Sequence, residues 1–273
     1  MDNKIIDNNW VVYVNVTNEE RIKINNTAQR LPFKFTEGDC LSDICKTYLL
    51  NNVDPLLVFV GGSVLTGITD FYSDYDLSVL TKDTVKLDNS NFVIFRGRHI
   101  HPYIHTMDSL IEVVKDDIIH SVGLIKFSFL TRDKIIYTTL SEDIVSDLLN
   151  HLGDLTQAGI TTFDDYCRDY IEEVIGLGKV GFNGPVKLLG TALEIHHILK
   201  GEPLDKDKNY ILKVKRLKKS GFTGVDISRL VNDLKEYCIL VDEYRKTHTY
   251  EDAINNWKSS FAYQEIKKLS ENQ

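Results

Sequence analysis

The sequence predicts an α/β protein in which a small mixed-sheet domain is followed by an all-helical C-terminal domain. Two observations carry this prediction. Short runs rich in β-branched and aromatic residues dominate before residue 150, and long helical periodicities of apolar residues dominate after it. We therefore expect a β-rich N-terminal extension over residues 1–38, a sheet domain over 39–155 and a helical domain over 156–273.

Several short runs in the first half have the composition of strands. They cover residues 10–16, 56–60, 74–80, 92–95, 100–105 and 134–139. The run at 56–60 is apolar throughout, which predicts a buried central strand. Arg96-Gly97-Arg98 lies between two of the runs and predicts a hairpin turn. Pro102 in the run that follows predicts an edge position or a bulge there.

Helical spacing of apolar residues marks the remaining segments. The predicted helices cover residues 39–50, 109–119, 163–178, 184–202, 209–219, 225–246 and 250–269. Pro185, which directly follows Gly184, suits the start of one of these helices, and Gly201 suits its end. The sheet thus comes first in the chain, and helices make up its C-terminal part.

The amino-acid composition indicates which class of binding partner and which cellular compartment to expect. The chain has 32 Lys and Arg against 40 Asp and Glu, a net charge of −8, which disfavours a long nucleic acid and favours a small molecule. Its four cysteines lie apart, without the ligand spacing of a zinc site, and are expected to be reduced thiols. The polar N-terminus and the lack of an apolar run of about 18 residues predict a cytoplasmic protein without a membrane partner.

A glycine turn follows the first buried strand. Gly61 and Gly62 allow the backbone to approach a ligand closely, and Ser63 can begin a helical turn. The backbone amides of such a turn, together with the hydroxyl of Ser63, can hold the phosphates of a nucleotide. On its own, Gly-Gly-Ser after a strand is usually no more than a turn.

Two aspartates, Asp74 and Asp76, open the next strand after a gap of ten residues. The two-residue period of a strand places both carboxylates on one face, with Cα atoms about 6.6 Å apart. Two neighbouring negative charges are costly unless a cation lies between them, and carboxylate oxygens suit Mg²⁺. Because an Asp-x-Asp pair also occurs on ordinary surface strands, the order and spacing of both features together indicate a nucleotide site with one or two Mg²⁺ ions.

The segment from Val58 to Leu80 resembles the signature of the polymerase-beta-like nucleotidyltransferase superfamily, in which an apolar strand, Gly-Gly-Ser and Asp-x-Asp follow one another. Thr66-Gly67 and Tyr72-Ser73-Asp74 are similar to the minimal and the aminoglycoside-type members. The likeness extends to about residue 140. The helical half resembles the acceptor-binding domain of these enzymes in arrangement only.

The resemblance implies a site and a reaction. The implied catalytic residues and metal ligands are Asp74 and Asp76, and the implied nucleotide-binding residues are Gly61, Gly62, Ser63 and Ser73. With bound Mg²⁺, a nucleoside monophosphate would pass from an NTP, with ATP favoured, to a hydroxyl or similar group, and pyrophosphate would be released. A small-molecule acceptor is favoured, an RNA end or a protein side chain is the alternative, and a homodimer is left open.

The third metal ligand departs from the pattern of the superfamily. Its members usually bring another carboxylate from a later strand, but the corresponding run, residues 98–107, contains no acid. His101 takes the expected third-ligand position, Tyr103 shares its face, and Asp108 lies just beyond the run. Three explanations stay open: a one-metal site, a ligand from elsewhere in the chain, or a protein that binds nucleotide without turnover, such as an antitoxin-like partner.

Overall fold

Seven strands form one mixed sheet in the N-terminal half of the protein. The computed structural model describes residues 2–7, 10–30, 53–65, 74–85, 92–116, 127, 130–180, 186–202 and 224–271. The strands are β1 (Asp2–Asp7), β2 (Trp10–Val14), β3 (Pro55–Val60), β4 (Tyr75–Thr81), β5 (Phe92–Phe95), β6 (Arg98–His105) and β7 (Ile135–Thr138). Their order across the sheet is β1-β2-β5-β6-β4-β3-β7. Strands β4 and β6 are parallel and the other neighbouring pairs are antiparallel, so the sheet is mixed, as predicted.

Each run with strand composition forms a strand. β3 lies between β4 and β7 with every residue buried, as expected for an apolar central run. The predicted hairpin turn between β5 and β6 is made by Arg96 and Gly97, both with positive φ, 51° and 72°. β6 is an interior strand, but its pairs with β5 involve only Arg98 and His99. Among the described residues, Pro102 therefore pairs with β4 alone, so the predicted edge position is local to that part of β6.

Helices dominate from residue 142 onward. The described helices are α1 (Asn18–Thr27), α2 (Met107–Asp116), α3 (Glu142–Leu177), α4 (Val186–Leu199), α5 (Gly224–Arg245), α6 (Tyr250–Ser259) and α7 (Phe261–Glu271). Ser141 caps the start of α3, and Gly178 ends it in the left-handed conformation. This 36-residue helix runs through the expected boundary between residues 155 and 156. In the part of the chain that the structure describes, no helix combines the length and the apolar character that crossing a membrane requires.

Two separate hydrophobic cores divide the helical part. The first lies between one face of the sheet and helices α2, α6, α7 and the first half of α3, with Phe59, Leu148 and Trp257 among its buried residues. The second joins the other half of α3 to α4 and α5, around Phe163 and Tyr237. The last two helices therefore pack against α3 and belong to the same core as one face of the sheet, and α3 belongs to both cores.

The N-terminal extension adds two strands to the sheet. β2 pairs with β5, and β1 pairs with β2. Helix α1, which begins with a capping box between Thr17 and Glu20, leads into a segment that lies against the β5–β6 turn. A Cβ atom on Gly97 would overlap the carbonyl of Gln29, so only glycine allows this approach. The segment carries Arg30 to the start of β4.

Candidate functional site

The glycine turn after β3 lies directly against Asp76. The N–H of Gly61 donates a hydrogen bond to the carbonyl oxygen of Asp76 at 2.6 Å. Gly62 has a φ of 62°, and a Cβ atom there would overlap the Asp76 carboxylate, whose Cγ lies 2.8 Å from that position. The absence of a side chain at Gly62 thus leaves room for the carboxylate. The turn and the Asp76 side chain face each other, as the sequence predicts.

The parallel pairing of β4 and β6 places Asp76 opposite His101. Their Cα atoms are partners in the register, and Ser78 pairs with Tyr103 two residues further on. Because side chains alternate along a strand, Asp76, His101 and Tyr103 lie on one face of the sheet. Asp74, which directly precedes β4, shares this face. His101, the residue predicted for a third ligand, therefore lies on the same face of the sheet as Asp76.

Asp74 is half-buried beside a cation from the N-terminal extension. Its Oδ1 atom lies 3.4 Å from Nη1 of Arg30, whose side chain is 6% exposed. The same Oδ1 atom is shielded from solvent and accepts no hydrogen bond from the described residues. Burial raises the pKa of Asp74, and the charge of Arg30, followed by that of His101, opposes the rise. The positive charge of Arg30 thus stabilises the carboxylate, whose Oδ1 atom accepts no hydrogen bond from the described residues.

Two histidines of β6 complete a cluster with Asp74. The ring centroids of His99 and His101 are 4.2 Å apart in an edge-to-face arrangement. Asp74, His99 and His101 each present a metal-binding atom, and these atoms lie within 4.8 Å of one another. His99 is 8% exposed, and burial, followed by the charges of His101 and Arg21, lowers its pKa to about 3. The ring of His99 is therefore neutral at physiological pH.

Tyr103 borders this cluster on the same face. Burial raises its pKa, and the negative charges of Asp76 and then Asp74 raise it further. The phenol of Tyr103 therefore stays protonated at physiological pH and can donate a hydrogen bond beside the two carboxylates. We place it at the border of the site and assign it no role in catalysis.

Two of the predicted nucleotide-binding residues lie partly or wholly outside the described residues. The backbone of Ser63 lies in a short 3₁₀ turn over Gly62–Val64, but its side chain is outside the described part. Ser73 lies outside the described residues, as do the predicted helices at 39–50 and 209–219. The N–H of Gly61 is engaged with Asp76, so its role here is to hold the turn against β4.

Asp108 does not join the aspartate pair. It begins α2, beyond the end of β6 that is remote from Asp76, and helix α7 holds it. Nζ of Lys267 donates to Asp108 Oδ2 at 2.6 Å, and the hydroxyl of Tyr263 donates to Oδ1. The carboxylate just past the strand therefore joins α2 to α7 and ligates no metal with Asp76.

The ion pair of Asp108 makes a testable contribution to acid stability. The hydrogen bond from Lys267, followed by that from Tyr263, lowers the pKa of Asp108 below its ordinary value of 3.8. The stabilisation is therefore complete above that value and is lost as the pH falls through the lowered folded value. We expect Asp108→Asn to cost about 1 kcal/mol or less at pH 7, because the pair is partly exposed. In urea unfolding, a difference from wild type that stayed constant down to pH 3 would contradict this assignment.

Arg30 is the site residue that the sequence does not reveal. It lies in an extension that resembles nothing we can name, and it reaches Asp74 only because the chain crosses the β5–β6 turn. Its Nη2 donates to Oδ1 of Asn25 at 2.9 Å, which orients the guanidinium. Gly97 in the predicted hairpin turn is the one feature of the sequence that fits the close approach of another segment there.

Comparison with known proteins adds no assignment. No known family model matches the chain, and no curated protein matches it. A proposal about its function therefore depends on the geometry of the site.

Proposed function

We propose that the protein is a nucleotidyltransferase, which moves a nucleoside monophosphate from an NTP to a hydroxyl or similar group with release of pyrophosphate. One observation carries the proposal: the Gly61-Gly62 turn closes on Asp76, and Asp74 lies beside it on the same face of the sheet. A phosphate-binding turn and two carboxylates are the parts that this reaction needs in one place, because catalysis of phosphoryl transfer depends on positioning and charge.

The residues fit Mg²⁺. Carboxylate oxygens are its preferred protein ligands, and Asp74 offers an oxygen that is shielded from solvent and accepts no hydrogen bond from the described residues. The hydrogen bond from the N–H of Gly61 holds the backbone of Asp76 against the turn, and the missing side chain at Gly62 leaves room for its carboxylate. In the proposal, Asp74 and Asp76 hold Mg²⁺, which when bound neutralises phosphate charge. Phosphate oxygens lie against the backbone N–H groups of Gly62 and Ser63.

The acceptor that we favour is a small molecule. The net charge of −8 opposes the approach of a long polyanion, whereas it attracts a basic acceptor. Transfer to an RNA end or to a protein side chain is the alternative within the enzymes.

A second candidate is a protein that binds nucleotide without turning it over. Arg30 favours it, because a guanidinium beside Asp74 already compensates the charge that a metal ion would balance. The described part of the face also brings no third carboxylate to the pair, since His101 occupies that position.

The test is a transfer assay with isotopically labelled NTPs and Mg²⁺. Each of the four NTPs is labelled at the α-phosphate and offered with small amines and alcohols, with RNA or with the protein alone, while pyrophosphate is measured. We expect label on an acceptor together with pyrophosphate, both lost in an Asp74→Asn, Asp76→Asn double variant. The matched control is Asp83→Asn, an exposed acid just after β4. Full activity of the double variant would refute the metal site, and nucleotide binding without pyrophosphate would favour the second candidate.

Removal of the Arg30 charge gives a further prediction. In Arg30→Met, Mg²⁺ no longer competes with a guanidinium for Asp74, so we expect Mg²⁺ to bind roughly three- to tenfold more tightly in calorimetry without nucleotide. Arg132→Met is the control, because its partner Glu142 is an exposed residue of α3. An unchanged Mg²⁺ affinity in Arg30→Met would mean that the metal does not use Asp74.

A further inference from the structure

The cluster of Asp74, His99 and His101 differs in chemistry from an aspartate pair. Two of its three donors are imidazole nitrogens, and all three donor atoms lie within 4.8 Å of one another. They come from two neighbouring parallel strands, so the backbone holds them in one place. Imidazole is a ligand of transition metals, whereas Mg²⁺ prefers oxygen.

We propose that Asp74, His99 and His101 bind a divalent transition-metal ion through one carboxylate oxygen and two imidazole nitrogens. Co²⁺, Mn²⁺ and Zn²⁺ belong to the class of ions that suit this donor set. The proposal stands on the geometry of the cluster and does not depend on nucleotidyl transfer, although Asp74 takes part in both sites.

The distances allow the cluster to close around one ion. Metal–ligand distances of about 2.1 Å place neighbouring donors of one ion roughly 3.0–3.6 Å apart. The three donor atoms lie within 4.8 Å of one another, so rotations of the side chains can bring them onto one ion. The three donors are therefore close enough without a change in the strands.

The burial of the three residues suits a site that is open on one side. His99 is 8% exposed and the side chain of Asp74 is 23% exposed, whereas His101 is an exposed residue. An ion held by three protein donors keeps further positions for water or a substrate, and solvent can reach them from the side of His101.

Charge at the cluster is balanced by a second carboxylate. Arg30 next to Asp74 disfavours a further cation. Asp76, which is the register partner of His101, adds a negative charge on the same face and offsets this effect. The two carboxylates together therefore balance the positive charges of the guanidinium and of one divalent ion better than Asp74 alone could.

The test uses the full-length protein after treatment with a chelator. Co²⁺ is added without nucleotide, and binding is followed by visible absorption and equilibrium dialysis. We expect a single tight site, which His101→Ala weakens by about tenfold or more. His105→Ala is the matched control, because this histidine is on the same strand but its register partner is Leu80. An excess of Mg²⁺ should leave the bound Co²⁺ in place.

Two further measurements separate this proposal from the proposed function. Asp76→Asn should abolish nucleotidyl transfer but weaken Co²⁺ binding less than His101→Ala does, since Asp76 contributes charge beside the cluster and no ligand. With Mn²⁺ in the wild-type protein, electron spin-echo spectra should show modulation from ¹⁴N, a result that does not rely on the folding of any variant. Wild-type affinity in His101→Ala, displacement of Co²⁺ by Mg²⁺, or absence of nitrogen modulation would overturn the proposal.

Discussion

Gly62→Ala is expected to reduce the proposed nucleotidyl transfer to about one per cent of wild type or less, since small displacements of a catalytic group cost this much. A Cβ atom at this position would overlap the Asp76 carboxylate, and φ is 62°, a conformation that L residues rarely adopt. The strand fixes the Asp76 backbone, so the carboxylate can yield only by rotating away. The fold should survive, with a loss of stability of about 1–2 kcal/mol for the left-handed residue.

The neighbouring glycine is the control. Gly61 has a φ of −111°, which any residue adopts, and the nearest atom to a Cβ there is Oγ of Ser78 at 3.4 Å, an ordinary contact. We expect Gly61→Ala to keep transfer within roughly threefold of wild type, because it leaves Asp76 in place. Transfer and circular dichroism are measured on both variants. If Gly62→Ala stayed as active as Gly61→Ala, the carboxylate of Asp76 would have no part in the reaction.

The sequence predicted those parts of the site that depend on local pattern. Gly62 lies just after β3 and Asp76 lies in β4, the next strand along the chain and its partner in the sheet, so a short connection was enough to predict their meeting. The resemblance put His101 at the expected third-ligand position, and its register with Asp76 places the two residues on one face of the sheet. Period-two and period-3.6 patterns are properties of neighbouring residues, which is why β2 to β7 and most of the described helices lie where predicted. The strand β1 and the helix α1 were not predicted.

Features that depend on distant contacts were not predicted. Arg30 meets Asp74 through the path of the extension, for which no local pattern exists. The start of α3 was placed too late, because Gly153 and Gly159 weaken helix propensity and only packing against two cores overrides it. The expected single helix over 250–269 is two helices, since the backbone of Ser260 is extended with a ψ of 148°. Tertiary packing decides the first outcome, whereas the second has a local cause, because the hydroxyl of Ser260 accepts a hydrogen bond from the N–H of Tyr263 at the start of α7.

Asp164→Asn is expected to lower the free energy of unfolding by about 3 kcal/mol, or the melting temperature by roughly 6–12 °C. Asp164 is completely buried in the second core. Its carboxylate accepts from Arg168 at 3.0 Å, from Arg245 at 3.3 Å and from the hydroxyl of Tyr237 at 3.0 Å. The amide of asparagine carries no charge and turns an N–H₂ group towards donors, so two guanidinium groups lose the anion that they share.

The same arginine offers a matched control. Nη2 of Arg168 also donates to Asp242 Oδ1 at 2.6 Å, but the side chain of Asp242 is 64% exposed. We expect Asp242→Asn to cost less than about 1 kcal/mol, because water replaces the lost partner of an exposed pair. Urea unfolding followed by circular dichroism measures both variants. Equal losses would mean that Arg168 gains as much from Asp242 as from Asp164. We expect the loss at Asp164 to be clearly larger, because its carboxylate is completely buried and also accepts from Arg245 and from the hydroxyl of Tyr237.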